Sequence, residues 1–494
     1  MNMAGETKQK KTLWNFVDSF EGDKVVWMIV MLLILLSIVA IFSSTSLLAL
    51  QQKTTRMAII SEQLVLTLGG LAIILICCSI KKIGFFRIVS QLGYAVSIGL
   101  LLILALHITV GPVKALYLNQ AWRIVSVLGL QVHVFEVVKV AMIMYLAWAV
   151  NAFRNDSFMI ANHLGKKYPL WNKPLTKKIV YIYVPIFSVC LLIMVGSLSS
   201  TLFIGGIMFI TILIGGISVK ELVKPIAIGI GLLAVCICIN ASREEGHKLF
   251  PHLDSAINRV VGAGIDDNLR IMRENPQNSV EFQEALDNVK QPISAKIAIH
   301  EGGLFGKGPG RSTQRYVVPI MFEDYMFSFV VEEYGLLGGI FVIILYISLL
   351  ARGSIIVRNC DNHFAKTAVA GLVLLITGQA MMHIAVNCDI GPLTGQTLPM
   401  ISHGNSSFIM FSLAFGIILS ISKMAKRKID REAAKAEPLV DRQVRDEIGS
   451  RMDELDEAES RLNAQEEDFG GVDANIPVHE NDIPDYGIDD HNNE

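Results

Sequence analysis

Residues 302–350 read GGLFGKGPGRSTQRYVVPIMFEDYMFSFVVEEYGLLGGIFVIILYISLL. From about 323 to 351 the stretch is apolar and longer than the roughly 20 residues a helix needs to cross a hydrocarbon core about 30 Å thick. Glu323, Asp324, Glu332 and Glu333 interrupt it. Each ionised group inside a span costs at least about 2.5 kcal/mol, so each needs a partner, a wet cavity or a function.

Working outward, nine more apolar runs fall at about 25–43, 60–80, 88–109, 133–152, 179–197, 200–218, 223–241, 366–387 and 404–422. Ten spans predict an all-α polytopic membrane protein. A mean hydropathy of +0.48, with 52% hydrophobic and 18% charged residues, excludes a soluble globular enzyme. The first run reads as a retained helix, since no small-residue cleavage site follows it. Seven cysteines show neither paired extracellular spacing nor a CxxC metal pattern, which argues against a disulfide framework and a zinc site.

The net charge of -2 hides two opposite parts: 21 acidic and 6 basic residues from Asp430 onward, 24 acidic and 37 basic before it. The basic residues cluster in short loops after the second, fourth, eighth and tenth runs and before the first, which puts both termini in the cytoplasm by the positive-inside rule. That distribution, not nucleic-acid binding, explains the basic excess. The expected organisation is a cytoplasmic segment at 1–24, a ten-helix membrane domain at 25–423 and an acidic, mostly disordered cytoplasmic tail at 424–494. One large external loop covers about 242–322, and 388–403 is a short one. Within the tail, Val440, Val444, Ile448, Met452, Leu455 and Leu462 form a modest amphipathic stripe.

Three polar places stand out. Glu136 and Lys139 lie three residues apart on one helix face, within ion-pair reach, as a helix-stabilising or a functional pair. Asp324 lies at the external end of its span; read alone it is first a helix cap and second a general base. The glycine-rich run is no P-loop, because Glu301 and Gly308 stand where Gly and Ser or Thr are needed. Its exposed amides with Lys307, Arg311 and Arg315 would suit an anionic head group, or the run is an ordinary turn.

Taken together these places resemble the SEDS family (shape, elongation, division and sporulation), membrane glycosyltransferases that polymerise peptidoglycan from lipid II. GGLFGKGPGRSTQR at 302–315 is similar to the family's GGLxGxGxGxSxQ, and Pro319 to Asp324 followed by Glu332-Glu333-Tyr334-Gly335 to its next landmark. Asn119-Gln120-Ala121-Trp122-Arg123, the Glu136/Lys139 pair and the segment from Gly391 through Pro399, Ser402 and Ser406 to Ser407 match less completely. The family's Asp between the fifth and sixth spans is absent from Gly196-Ser197-Leu198-Ser199-Ser200, so no role for it carries over.

The resemblance implies that Asp324 is the catalytic base, taking the proton of the GlcNAc 4-hydroxyl of an incoming lipid II. It also implies substrate or cavity roles for Arg123, Glu136, Lys139, Lys307, Arg311, Gln314, Arg315, Glu333, Pro399, Ser402 and Ser406. No cofactor is certain; a divalent cation, Mg or Mn, is an option, without a visible ligand cluster. The implied partners are lipid II, a class B penicillin-binding protein transpeptidase and other division-complex proteins, with no nucleic acid. The implied place is the bacterial cytoplasmic membrane at the septum, since Phe20-Glu21-Gly22-Asp23-Lys24 and the long tail resemble the division branch more than the elongation branch. The rival readings are an elongation polymerase, a lipid II flippase and a non-enzymatic division scaffold.

Overall fold

The computed structural model describes residues 22–45, 48–49, 53–118, 121–242, 265–317, 321–390 and 394–469. Asn119, Gln120, Pro319, residues 391–393 and most of the segment 1–24 lie outside them. The chain divides into two compact units, Met1–Arg427 and Lys428–Glu494.

The first unit is a bundle of apolar helices. Its spans are α1 (Lys24–Ser44), α2 (Arg56–Ser79), α3 (Ile83–Ala105), α4 (Val134–Arg154) and, after a short helix α5 (Met159–Gly165), α6 (Pro174–Met194). Then come α7 (Leu198–Ile214) and α8 (Val219–Ala241), followed by the loop helices α9 (Ile265–Glu274) and α10 (Val280–Gly302). A turn α11 (Met321–Asp324) leads to α12 (Met326–Asn359) and α13 (His363–Asn387). The final span is Asn405–Ile429, the apolar part of α14 (Asn405–Phe469). Among the described residues nine helices are long and apolar enough to cross a membrane, and α7 is a shorter apolar tenth. The protein is thus a multi-pass membrane protein.

Within the bundle α4 and α14 are the most enclosed spans and α8 is the least. Small residues let the central helices approach, as membrane helices require. A Cβ on Gly371 of α13 would lie 2.6 Å from Ile143 of α4 and 3.0 Å from Thr211 of α7. Asp23 caps α1 by accepting from the amides of Val25 and Val26, and its other oxygen pairs with Arg352 on α12 at 2.7 Å. In the second unit the described part of the acidic tail is helical through Phe469, the stretch that holds the amphipathic stripe.

The membrane part is all-α as expected, and one element adds to it. Between α3 and α4 an antiparallel meander runs β1 (Thr109–Val110), β2 (Val113–Leu118), β3 (Ala121–Val127) and β4 (Leu130–His133). Val127 pairs with Leu130, and the two residues between them, Leu128 and Gly129, both have positive φ, the backbone that a two-residue hairpin requires.

The eighth span also differs from a single straight helix. Gly335 breaks α12 with φ 72° and ψ -176°. In hydrocarbon every freed backbone group needs a protein partner, and the glycine-rich loop supplies them. The amides of Leu336 and Leu337 donate to the carbonyls of Gly303 and Leu304, and those of Lys307 and Gly308 donate to the carbonyls of Glu332 and Glu333. A Cβ on Gly335 would sit 2.2 Å from the Leu304 carbonyl oxygen. Gly335→Ala is therefore expected to destabilise by about 1–3 kcal/mol from backbone strain alone. Thermal unfolding of the purified variant measures this, and an unfolding temperature equal to that of the wild type would contradict it.

Candidate functional site

Asp324 ends the α11 turn, outside α12, and three successive carbonyls hold that turn in place. The amide of His403 donates to Phe322 O at 2.9 Å, Ser402 Oγ donates to Glu323 O at 2.7 Å, and Asn387 Nδ2 donates to Asp324 O at 3.1 Å. Ser402 thus acts on the backbone beside Asp324. The carboxylate and Arg123 converge on Gly395, whose φ is +60°: a Cβ there would lie 4.0 Å from Asp324 Oδ2 and 3.9 Å from Arg123 Nη1. Arg123 comes from β3, so the meander brings a cation to the same end of the bundle. Burial pushes the Asp324 carboxyl up to about 6, against the opposing pull of Arg123. Glu323 is raised to about 7, first by burial and then by the charge of Asp324.

Lys139 and Glu136 form the expected pair on α4, at 2.6 Å, with the Lys139 side chain 1% exposed. Lys139 also donates to Gln379 Oε1 at 2.8 Å and Gln396 Oε1 at 2.6 Å. Gln396 Nε2 in turn donates to Ser200 Oγ, and Gln379 Nε2 to Thr397 O. The ammonium thus has three oxygen partners, which is how a cation this deep is tolerated.

Many donors of the glycine-rich loop are engaged within the protein. Glu332 and Glu333, both fully enclosed, accept them. Glu332 takes Lys307 at 2.9 Å, the amide of Thr313 at 2.8 Å and the hydroxyl of Ser312. Glu333 takes Ser43 Oγ at 2.5 Å and the amide of Gly310 at 3.0 Å, with Arg315 at 3.8 Å. Arg315 also donates to Ser43 Oγ, and Lys307 pairs with Glu301. Lys307, Arg315 and Glu333 therefore fasten the loop to α1 and α12. Of the loop's expected binding residues, Arg311 is exposed and Gln314 is half-buried, its amide 3.4 Å from Glu332 Oε1.

Pro399 and Ser406 are hydrogen-bonded to other elements of the bundle. The Pro399 carbonyl accepts from Tyr346 at 2.5 Å, and Ser406 Oγ accepts from the His133 amide at 3.0 Å, fastening β4 to α14. Among the described residues no group of three His, Cys, Asp or Glu side chains could hold a metal ion.

Three further buried residues near the site carry no charge to mark them in the sequence. Gln379, His383 and Asn387 are buried on α13 at four-residue steps, one face of a helix. Their spacing inside an apolar run is the signal that could have found them.

Residues 23–427 match the FtsW, RodA and SpoVE family, described as "Cell cycle protein". The chain belongs to this family. It is the SEDS family that the motifs resemble. Curated relatives include a probable peptidoglycan glycosyltransferase FtsW of Caulobacter vibrioides, 38% identical over 131 residues, which is 26% of this chain and 34% of that protein. The probable peptidoglycan glycosyltransferase FtsW of Bacillus subtilis is 33% identical over 159 residues, 32% of this chain and 39% of that protein. Peptidoglycan glycosyltransferase MrdB of Escherichia coli K12 is 36% identical over 131 residues, 26% of this chain and 35% of that protein. Each aligned stretch spans only about a third of the relative's own length. A solved chain from work on structural coordination of polymerization and crosslinking by a peptidoglycan synthase complex superposes with a TM-score of 0.53 at 16% identity, covering 82% of this chain and 98% of that one. That likeness concerns the SEDS fold.

Proposed function

We propose that this SEDS protein is a peptidoglycan glycosyltransferase that polymerises lipid II at the outer face of the cytoplasmic membrane. The observation that carries the reading is the convergence of Asp324 and Arg123 on Gly395, at what the charge pattern makes the external end of the bundle. In the proposed step Asp324 accepts the proton of the GlcNAc 4-hydroxyl as that oxygen bonds to the anomeric carbon of the growing glycan. The bond from that carbon to the polyprenyl diphosphate breaks, and the diphosphate leaves with the electron pair. Arg123 is the cation best placed to stabilise the charge that develops there.

A carboxyl raised to about 6 is tuned towards the working pH of a general base. Only the deprotonated form accepts a proton. Activity is therefore expected to be level above about pH 6 and to fall about tenfold per unit below it. A kcat/KM profile flat down to about pH 4.5 would contradict the assignment. The deciding experiment is the purified protein in liposomes with lipid II: glycan polymer is expected, and transport of lipid II without polymer would sink the reading. We place the protein at the septum with a class B penicillin-binding protein as partner, on the division-like motifs and tail; tagged protein spread along the side wall would overturn that part.

A further inference from the structure

We infer that Asn387, at the C-terminal end of α13, is a positioning residue for Asp324. The inference rests on the catalytic reading of Asp324. The Asn387 side chain is 1% exposed and both its polar atoms are engaged. Nδ2 donates to Asp324 O at 3.1 Å and to His383 O at 2.8 Å, while Oδ1 accepts from the amide and hydroxyl of Ser328 at 3.0 and 2.7 Å. One amide group therefore ties the peptide of Asp324 to the first turn of α12.

The support behind it is equally specific. One turn away on α13, His383 lies with Nδ1 2.7 Å from Gln396 O, and its Nε2 accepts from the Phe327 amide at 3.4 Å. The Phe327 bond makes Nδ1 the protonated nitrogen. Gln396 is also a partner of the Lys139 ammonium, as is Gln379, one further turn along α13. A continuous set of hydrogen bonds thus runs from the Glu136–Lys139 pair along one face of α13 to the peptide of Asp324. Buried polar groups bonded on both sides rigidify what they hold, and a base misplaced by about 1 Å can lose about 10²-fold in rate. Among the described residues the charged groups facing Asp324 are Arg123 from β3 and Glu323 on its own turn; His403, on the loop before α14, turns its Nδ1 to Gln63 at 3.2 Å.

The test uses the full chain in liposomes with lipid II. Asn387→Ala is expected to lower kcat about 10- to 100-fold with KM within about twofold, and to move the acid limb of the rate profile as the turn carrying the carboxyl shifts relative to Arg123. Asn387→Asp, which keeps the acceptor for Ser328 and adds a negative charge, is expected to move that limb upward. Wild-type kcat in Asn387→Ala would overturn the inference. So would a fall in kcat that tracks a lower unfolding temperature in both variants with the acid limb unmoved, since that is a folding role. Asp324→Asn run in parallel separates the two readings: an inactive Asp324→Asn with a neutral Asn387→Ala removes only this inference, whereas an active Asp324→Asn removes the catalytic reading beneath it.

Discussion

Asp324→Asn is expected to reduce lipid II polymerisation by about 10²–10⁴-fold, the usual contribution of a positioned general base. The substitution is nearly isosteric, and the α11 turn is held through backbone carbonyls that it leaves in place. The protein should therefore fold and still bind lipid II, so the loss should fall on kcat. Reconstituted protein, labelled lipid II and gel separation of the glycan products measure it. A variant retaining more than about a tenth of wild-type kcat would exclude Asp324 as the base and point to another acceptor, with Glu323 the adjacent carboxylate.

Lys139→Met is expected to cost about 3–5 kcal/mol, because it leaves the Glu136 carboxylate, only 14% exposed, without its ion-pair partner. The loss is compounded by geometry: Glu136, Gln379 and Gln396 all point oxygens at the vacated position. Glu136→Gln combined with Lys139→Met should recover much of that loss, since the double change removes both charges. Denaturant unfolding in detergent provides the comparison. If the single variant loses less than about 1 kcal/mol, water or an ion already satisfies Glu136 and the pair is not a closed structural unit.

Much of this arrangement was legible in the sequence. Long apolar runs specify helices in lipid because only a helix satisfies its own backbone there, and this placed the spans. The same reasoning marked Glu136, Lys139 and Asp324, since a charge in an apolar run must be explained. The meander is hidden because Val113–Leu118 and Ala121–Val127 are largely apolar and blend with the ends of α3 and α4 in any hydropathy scan. The glycine-rich loop is ambiguous for a different reason. Lys307 and Arg315 look like ligand-binding cations in a string of residues, and only the fold shows Glu332 and Glu333, further along the chain, occupying them.

By itself, then, the sequence determined the membrane class and the charged residues that need a reason to exist, because these follow from the local cost of putting a polar group in hydrocarbon. Which of those charges converge on one glycine and which pair with one another was decided only by the tertiary structure. The break at Gly335 lets the loop and α12 exchange hydrogen bonds, and the segment before α14 brings Gly395 beside both Arg123 and Asp324. Both depend on partners far apart in the chain, and hydrogen-bond competition among such partners has no signature in spacing or composition.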